Sequence, residues 1–348
     1  TKPINLLNYF SRFLVIIFFF VRIKTMGIKE NILDCAIIGS GISGIFASLY
    51  LQKAGVNNIC IFEKSSGLGG RLATRRVENE KFDHGAQYLD IKSIRSIPEI
   101  ISLVENNIIF DWKNSGIYVS EGGMTSIAKF LASNIKVHKK FKLESIKDKK
   151  SRMQLDFENG EYVYSKSIIY SSPIPQTIEI LNNSDLNINN KLFGELSNII
   201  YDPCIVILLE SNKELVNLNQ GFGNRFVDGS IAWIADNKKK SISDRKNFFT
   251  VQCSTEFSKA NFEKTYDEIN LIIKDDLKTI FSDGYRILSN HKWRYSTPNI
   301  FYKNELSINI GRNFFIGICG DAFVNGQFDG AVESGINVAN LYLNGDGQ

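Results

Sequence analysis

Apolar runs and helix-spaced apolar positions alternate along the chain, most clearly between Asp34 and Glu63. Cys35–Ile38 is unbroken apolar sequence, the pattern of a strand covered on both faces of a parallel sheet. Ile42 to about Ala54 reads as a helix ended by Gly55, and Ile59–Phe62 is a second apolar run closed by Glu63. Farther along, Ile91 to about Asp111 is amphipathic and predicts a helix, and a second helix is expected to be capped near Thr125. Val137–Ile146, Met153–Phe157 and Tyr162–Tyr164 predict strands of a small sheet. Ser167–Tyr170 predicts a return to the main sheet before Pro173 and Pro175 break it. Phe314–Ile318 reads as a late strand, Asn325–Gly330 as a polar turn, and Ala331–Leu343 has helical spacing with small residues suited to close packing.

This order predicts an α/β, doubly wound Rossmann-like domain with an inserted α+β domain. Residues 34–90, 120–175 and 300–348 are assigned to the first, and residues 91–119 and 176–299 to the second. Residues 1–33 are expected to be an N-terminal extension, of which 1–25 is either upstream sequence or a dispensable, weakly ordered segment. Its nine apolar residues, Phe13–Val21, are too few to span a bilayer and lack a small-residue cleavage site.

The turn between the first strand and helix carries Gly39, Gly41 and Gly44. In a dinucleotide-binding unit the first reverses the chain, the second lets the backbone approach a pyrophosphate, and the third lets the helix pack against the strand. The helix beginning at Ile42 aims its free amides at the phosphates, and the Ser43 hydroxyl lies in that first turn. Glu63 falls about 20 residues downstream, where an acid accepts hydrogen bonds from ribose hydroxyls. A plain NAD-binding unit has no need of the second glycine group, Gly67, Gly69 and Gly70, followed by Arg71. The Arg71 fork can meet a phosphate with two parallel hydrogen bonds. Arg75 and Arg76 read equally well as a solvated basic surface.

With "GLGGRLATRR", "FDHGAQYLD", "SSPIPQTIEIL", "IAWIADNKKK", "HKWRYSTP" and "CGDAFVNGQFDGAVESGINVA", the chain resembles the renalase-like branch of the FAD-dependent oxidoreductases, related to the flavin amine oxidases. The resemblance spans most of the chain. It implies a glutathione-reductase-type FAD-binding domain and FAD contacts from Ser43, Glu63, Arg71, Gln87 and Tyr88; the FAD is expected to be non-covalent, with covalent attachment left open by the sequence. A backbone contact from Leu143 to adenine is also implied, with Lys64, Gly70 and Phe328 among the cofactor-side positions. Gly320 and Asp321 follow the late strand, where the carboxylate can accept hydrogen bonds from ribityl hydroxyls. The last helix is expected to begin beneath the flavin and stabilise charge at its N1 and O2 side, or else simply to pack. Gln87, Tyr88 and His84 are the candidate catalytic residues. The first two either orient a planar substrate or give only supporting hydrogen bonds; His84 either titrates near neutrality or is structural. Trp293 stacks on a ring or fills the core.

The implied activity is oxidation of isomeric NAD(P)H, by hydride transfer to flavin N5 with O2 giving hydrogen peroxide. Oxidation of an amine or another small organic molecule, and a non-catalytic flavin scaffold, stay open beside it. Composition fits: 348 residues at 43% hydrophobic and 22% charged exceed one typical domain, and a net charge of +4 gives no footprint for nucleic acid. The run Lys238–Lys240 reads as a solvated turn. Five cysteines without CxxC spacing read as reduced core residues, and three histidines far apart in sequence offer no metal site. A cytoplasmic protein without stable membrane association is expected.

Overall fold

The computed structural model describes residues 32–215 and 221–345. The chain divides into two units, Thr1–Ile32 and Leu33–Gln348, and everything below concerns the second. The expectations for residues 1–25 lie outside the described residues.

The main sheet has six strands, in the spatial order Ile308–Asn309, Ile316–Ile318, Ile168–Tyr170, Cys35–Ile38, Ile59–Glu63 and Val137–Lys139. All neighbours run parallel except the short Ile308–Asn309 edge strand. The order reverses between Cys35–Ile38 and Ile168–Tyr170, the switch point at which a doubly wound sheet opens a crevice. Alternate residues of the first strand explain its unbroken apolar run. Cys35 and Ile37 pack with Ile45, Phe46, Val332 and Val338 under the helices, while Ala36 and Ile38 face Phe62, Phe157 and Tyr170 on the other side. Burying one such side chain contributes about 1.5–3 kcal/mol.

The helix Ile42–Lys53 ends at Ala54, with Gly55 at φ +91°. The expected strand Val137–Ile146 is two strands in two sheets. Val137–Lys139 joins the main sheet, and Leu143–Asp148 turns away to pair with Met153–Phe157 in a three-stranded antiparallel sheet completed by Tyr162–Ser165. Lys140, at φ +61°, marks the break between them. The helix expected over Ile91–Asp111 is confined to Pro98–Glu105, because Pro98 starts a helix readily and the turns of residues 92–96 precede it. Thr125 begins the helix Thr125–Leu131 but does not cap it. Its hydroxyl accepts from Thr74 N at 2.7 Å and donates to Leu72 O at 3.0 Å. Pro173 and Pro175 open the helix Ile174–Asn182 as well as ending the strand.

A separate antiparallel sheet has the order Gly223–Arg225, Ile231–Asp236, Phe248–Cys253, Tyr201–Ser211, Tyr285–Pro298. Along Tyr201–Ser211, Ile205, Ile207 and Leu209 pack with Ile269, Leu277 and Phe281 of the helices beside them. Val206 and Leu208 point the other way, onto Phe82. That contact seats the hairpin Thr74–Val77/Glu80–Asp83, and the loop that follows it, against the antiparallel sheet. No helix among the described residues is long and apolar enough to cross a membrane.

Candidate functional site

At the switch point Gly39 adopts φ +101°. A Cβ on Gly44 would lie 2.4 Å from Gly39 O and 2.5 Å from Ser171 Oγ, so only glycine lets this helix sit on its strand. Gly41 differs: a Cβ there would meet nothing nearer than Ser171 O at 3.9 Å. The second glycine group folds over the first, with Gly69 N donating to Ser40 O at 2.9 Å and a Cβ on Gly70 falling 3.5 Å from Gly41 Cα. The helix behind this turn begins at Ile42 with no side-chain cap, leaving its first amides for an anion.

Glu63, buried, ends the second strand. Its carboxylate accepts from Ser40 N at 2.9 Å, Ser40 Oγ at 2.7 Å and Ser65 N at 2.7 Å. Three donors occupy a group with about four acceptor positions. Lys64 reaches away to Gln176 Oε1 at 2.9 Å. Leu143 lies close to this strand end through its loop, since Phe141 N donates to Glu63 O and Lys140 N to Ser65 O.

Arg71 and Asp321 meet as a bidentate pair at 2.6 and 2.7 Å, and Arg71 also donates to Ser296 O at 2.9 Å. Burial opposes the Arg71 charge, but the Asp321 carboxylate outweighs it and holds the guanidinium pKa above its ordinary value. Gly320 adopts φ +154° with open space at its Cβ position, and its amide is fixed by Ser334 Oγ of the last helix. That helix, Phe328–Leu343, also starts without a side-chain cap. Gly335 within it lies where a Cβ would come 2.4 Å from Ser43 O, which places buried Ser43 at the crossing of the first and last helices.

The loop Asp83–Tyr88 carries the candidate catalytic residues. Gln87 is buried; its amide donates to Asp83 O at 2.8 Å and Gly85 O at 3.0 Å, and its oxygen accepts from Lys240 at 3.3 Å. Lys240 itself pairs with Asp83 at 2.8 Å, both side chains with 0% exposure. Burial lowers the Lys240 pKa and the Asp83 charge opposes the fall. The lysine run is thus a turn with Lys238 exposed and Lys239 half-buried, but Lys240 departs from the expectation of a solvated run. Lys240 N donates to Asp236 O, while the Asp236 carboxylate accepts from the backbone of Lys238 and Lys239, a tight turn that sends the third lysine inward.

His84 stacks on Trp293, with ring centroids 5.4 Å apart, and the Trp293 indole donates to His84 O at 2.7 Å. His291 packs edge-on to both rings, so two histidines distant in sequence touch. Burial, then His291 and Arg75, push His84 down to about 3; burial and Arg75 bring His291 down to about 4. Both are neutral near pH 7, and His84 does not titrate there. Among the described residues no cluster of three or more metal-ligating side chains occurs.

Tyr88 projects into an aromatic cluster with Phe222 and Trp233 at 6.4 and 5.7 Å. Arg225 donates to the Tyr88 hydroxyl at 3.3 Å and lies 5.8 Å over Trp233. Trp233 Nε1 is buried without a partner. Lys240, Asp83, His291, Arg225 and Trp233 were not among the residues the sequence singled out as a site. The motifs "FDHGAQYLD", "IAWIADNKKK" and "HKWRYSTP" carry the available signal for the first three and for Trp233; Arg225 lies outside them.

Residues 37–97 match the family described as an NAD(P)-binding Rossmann-like domain. Putrescine oxidase bound to putrescine superposes over 90% of this chain and 99% of its own, with a TM-score of 0.64 and 13% identity. The fold is the amine-oxidase fold. It is shared with the CLA-producing fatty acid isomerase from P. acnes, which covers 92% of this chain and all of its own at a TM-score of 0.63 and 12% identity. An L-amino-acid oxidase from Neurospora crassa is 40% identical over 59 residues, which is 17% of this chain and only 8% of that relative. An oxidase and an isomerase on one amine-oxidase fold leave the reaction to the side chains.

Proposed function

We propose that the chain is an FAD-dependent oxidoreductase acting on a dihydronicotinamide-type substrate, an isomer of NAD(P)H. The residues fit the dinucleotide. Uncapped amides and open Cβ positions at Gly41 and Gly320 suit pyrophosphate and ribityl, Glu63 retains acceptor capacity for ribose, and the Phe141–Leu143 loop beside it suits adenine. Bound there, FAD would take a hydride from the substrate at N5 and be returned to the oxidised state by O2, giving NAD(P)+ and hydrogen peroxide. Cys319, next to Gly320, is buried with its thiol pKa pushed up, so it makes a poor nucleophile and supports non-covalent attachment. The substrate side is assigned to residues 91–119 and 176–299, and a reducing, cytoplasmic setting suits the five free cysteines.

The wall beside Tyr88 carries the choice of substrate. Half-buried Tyr88, backed by the buried rings of Phe222 and Trp233, suits a planar ring, and the exposed charge beside it is Arg225, a cation. A phosphate-bearing nicotinamide is drawn to that charge and a protonated amine is repelled.

Anaerobic mixing of the purified protein with 1,2- and 1,6-dihydronicotinamide dinucleotides, and separately with putrescine and L-amino acids, tests the reading through flavin absorbance. Bleaching by the nicotinamides and not by amines supports it, and acid precipitation should release the FAD. Bleaching by amines alone transfers the assignment to amine oxidation. A yellow protein bleached by neither is a scaffold, and one that refuses flavin overturns the reading.

A further inference from the structure

Lys240 needs an explanation that the cofactor site does not supply. A fully buried ammonium costs several kcal/mol to desolvate unless it is paired and hydrogen bonded. Its partner Asp83 is a hub: the second carboxylate oxygen accepts from Thr74 Oγ1 at 2.6 Å and from Met124 N at 2.9 Å. The pair therefore joins the hairpin, the start of the helix Thr125–Leu131 and the turn after the strand Ile231–Asp236.

A lysine has donors and no acceptor. Gln87 must turn its oxygen toward Lys240, and its two amide hydrogens are then directed to Asp83 O and Gly85 O. Both amide hydrogens are thus committed to the loop's own carbonyls, and the side chain is 5% exposed, so little of the carboxamide is presented to a ligand. We propose that Lys240, anchored by Asp83, is a positioning residue that sets the Gln87 amide and through it the backbone of residues 83–88, which presents Tyr88. Gln87 then acts through the loop and not on the substrate. This rests on the reading that the loop faces the flavin.

Simple removal of the charge confounds positioning with stability, so the test pairs a neutral exchange with a milder variant. D83N/K240Q keeps polar partners while discarding both charges, and Q87L leaves the ion pair whole. Three quantities are read: thermal midpoint, hydrogen–deuterium exchange of residues 83–88, and the rate of anaerobic flavin bleaching by 1,6-dihydronicotinamide dinucleotide.

Positioning predicts that both variants keep a midpoint close to that of the original protein. Exchange in 83–88 should rise, and bleaching at saturating substrate should slow about tenfold or more, since small misplacements are costly to rate. The proposal is overturned if bleaching changes only in proportion to the midpoint, or if exchange in 83–88 is unaltered. Should D83N/K240Q fail to fold, Q87L decides by the same criteria. If the original protein is colourless the functional reading fails, while the exchange measurement still judges this proposal.

Discussion

Two acid–cation pairs, Arg71–Asp321 and Lys240–Asp83, use similar chemistry in opposite surroundings. The first lies beside the glycine turn with Arg71 32% exposed, the second has no exposure on either partner. The Arg71 fork is closed on Asp321 and Ser296 O, but the Nε–H and one Nη2–H of this partly exposed guanidinium are left for a ligand at the edge of the turn. Lys240 is sealed, and its energy goes into holding one arrangement of the loop. A charge facing a crevice recognises, and a charge enclosed by the fold orients.

The most disruptive way to break this contrast is K240M, which strands the Asp83 carboxylate. A loss of about 3–5 kcal/mol is expected, seen as a large drop in thermal midpoint. If the midpoint barely moves, Asp83 is better hydrated than its burial shows. R71K keeps the charge of the open pair but loses the fork. It should weaken FAD binding by about 1.5–3 kcal/mol, measured by titrating apoprotein, with far less effect on the midpoint than K240M. Equal effects on stability would erase the distinction between the two pairs. G335A alters the glycine-turn region without touching a charge. Overpacking against Ser43 O should cost about 1–3 kcal/mol and loosen FAD without changing the order of substrate preference.

The smallest effect expected is on pH dependence. His84 has a folded pKa of about 3, below its unfolded value near 6.5. Between those values the unfolded chain binds the proton and the folded one does not, so stability falls as pH drops from 6.5 toward 3. From pH 7 to 6 the His84 share is less than about 1 kcal/mol, and His291 acts in the same direction. H84L should flatten the acid side of a midpoint-versus-pH curve; an unchanged slope would show that His84 is already protonated when folded.

The glycine turn was legible in sequence because each glycine answers a local demand that a side chain would violate. Gly39, Gly44 and Gly55 behave as a strand–helix–strand unit requires. The Arg71–Asp321 pair was not legible: each residue could be assigned to a cofactor, but nothing local says that side chains 250 positions apart will meet. A lysine run ordinarily marks solvent, as Lys238 does here; the burial of Lys240 is decided by the Asp236 turn together with an acid far upstream. The division of Val137–Ile146 was hidden because both halves favour the same backbone conformation. Local sterics travel well in sequence, whereas pairings across sheets do not.

The crossing of Gly335 with Ser43 also bears on biogenesis. Helix Phe328–Leu343 and strand Ile316–Ile318 complete a unit whose opening strand is made almost three hundred residues earlier. On the ribosome the glycine-turn unit therefore stays open through the synthesis of the intervening residues, and closes only when Phe328–Leu343 has emerged to pack on Ser43.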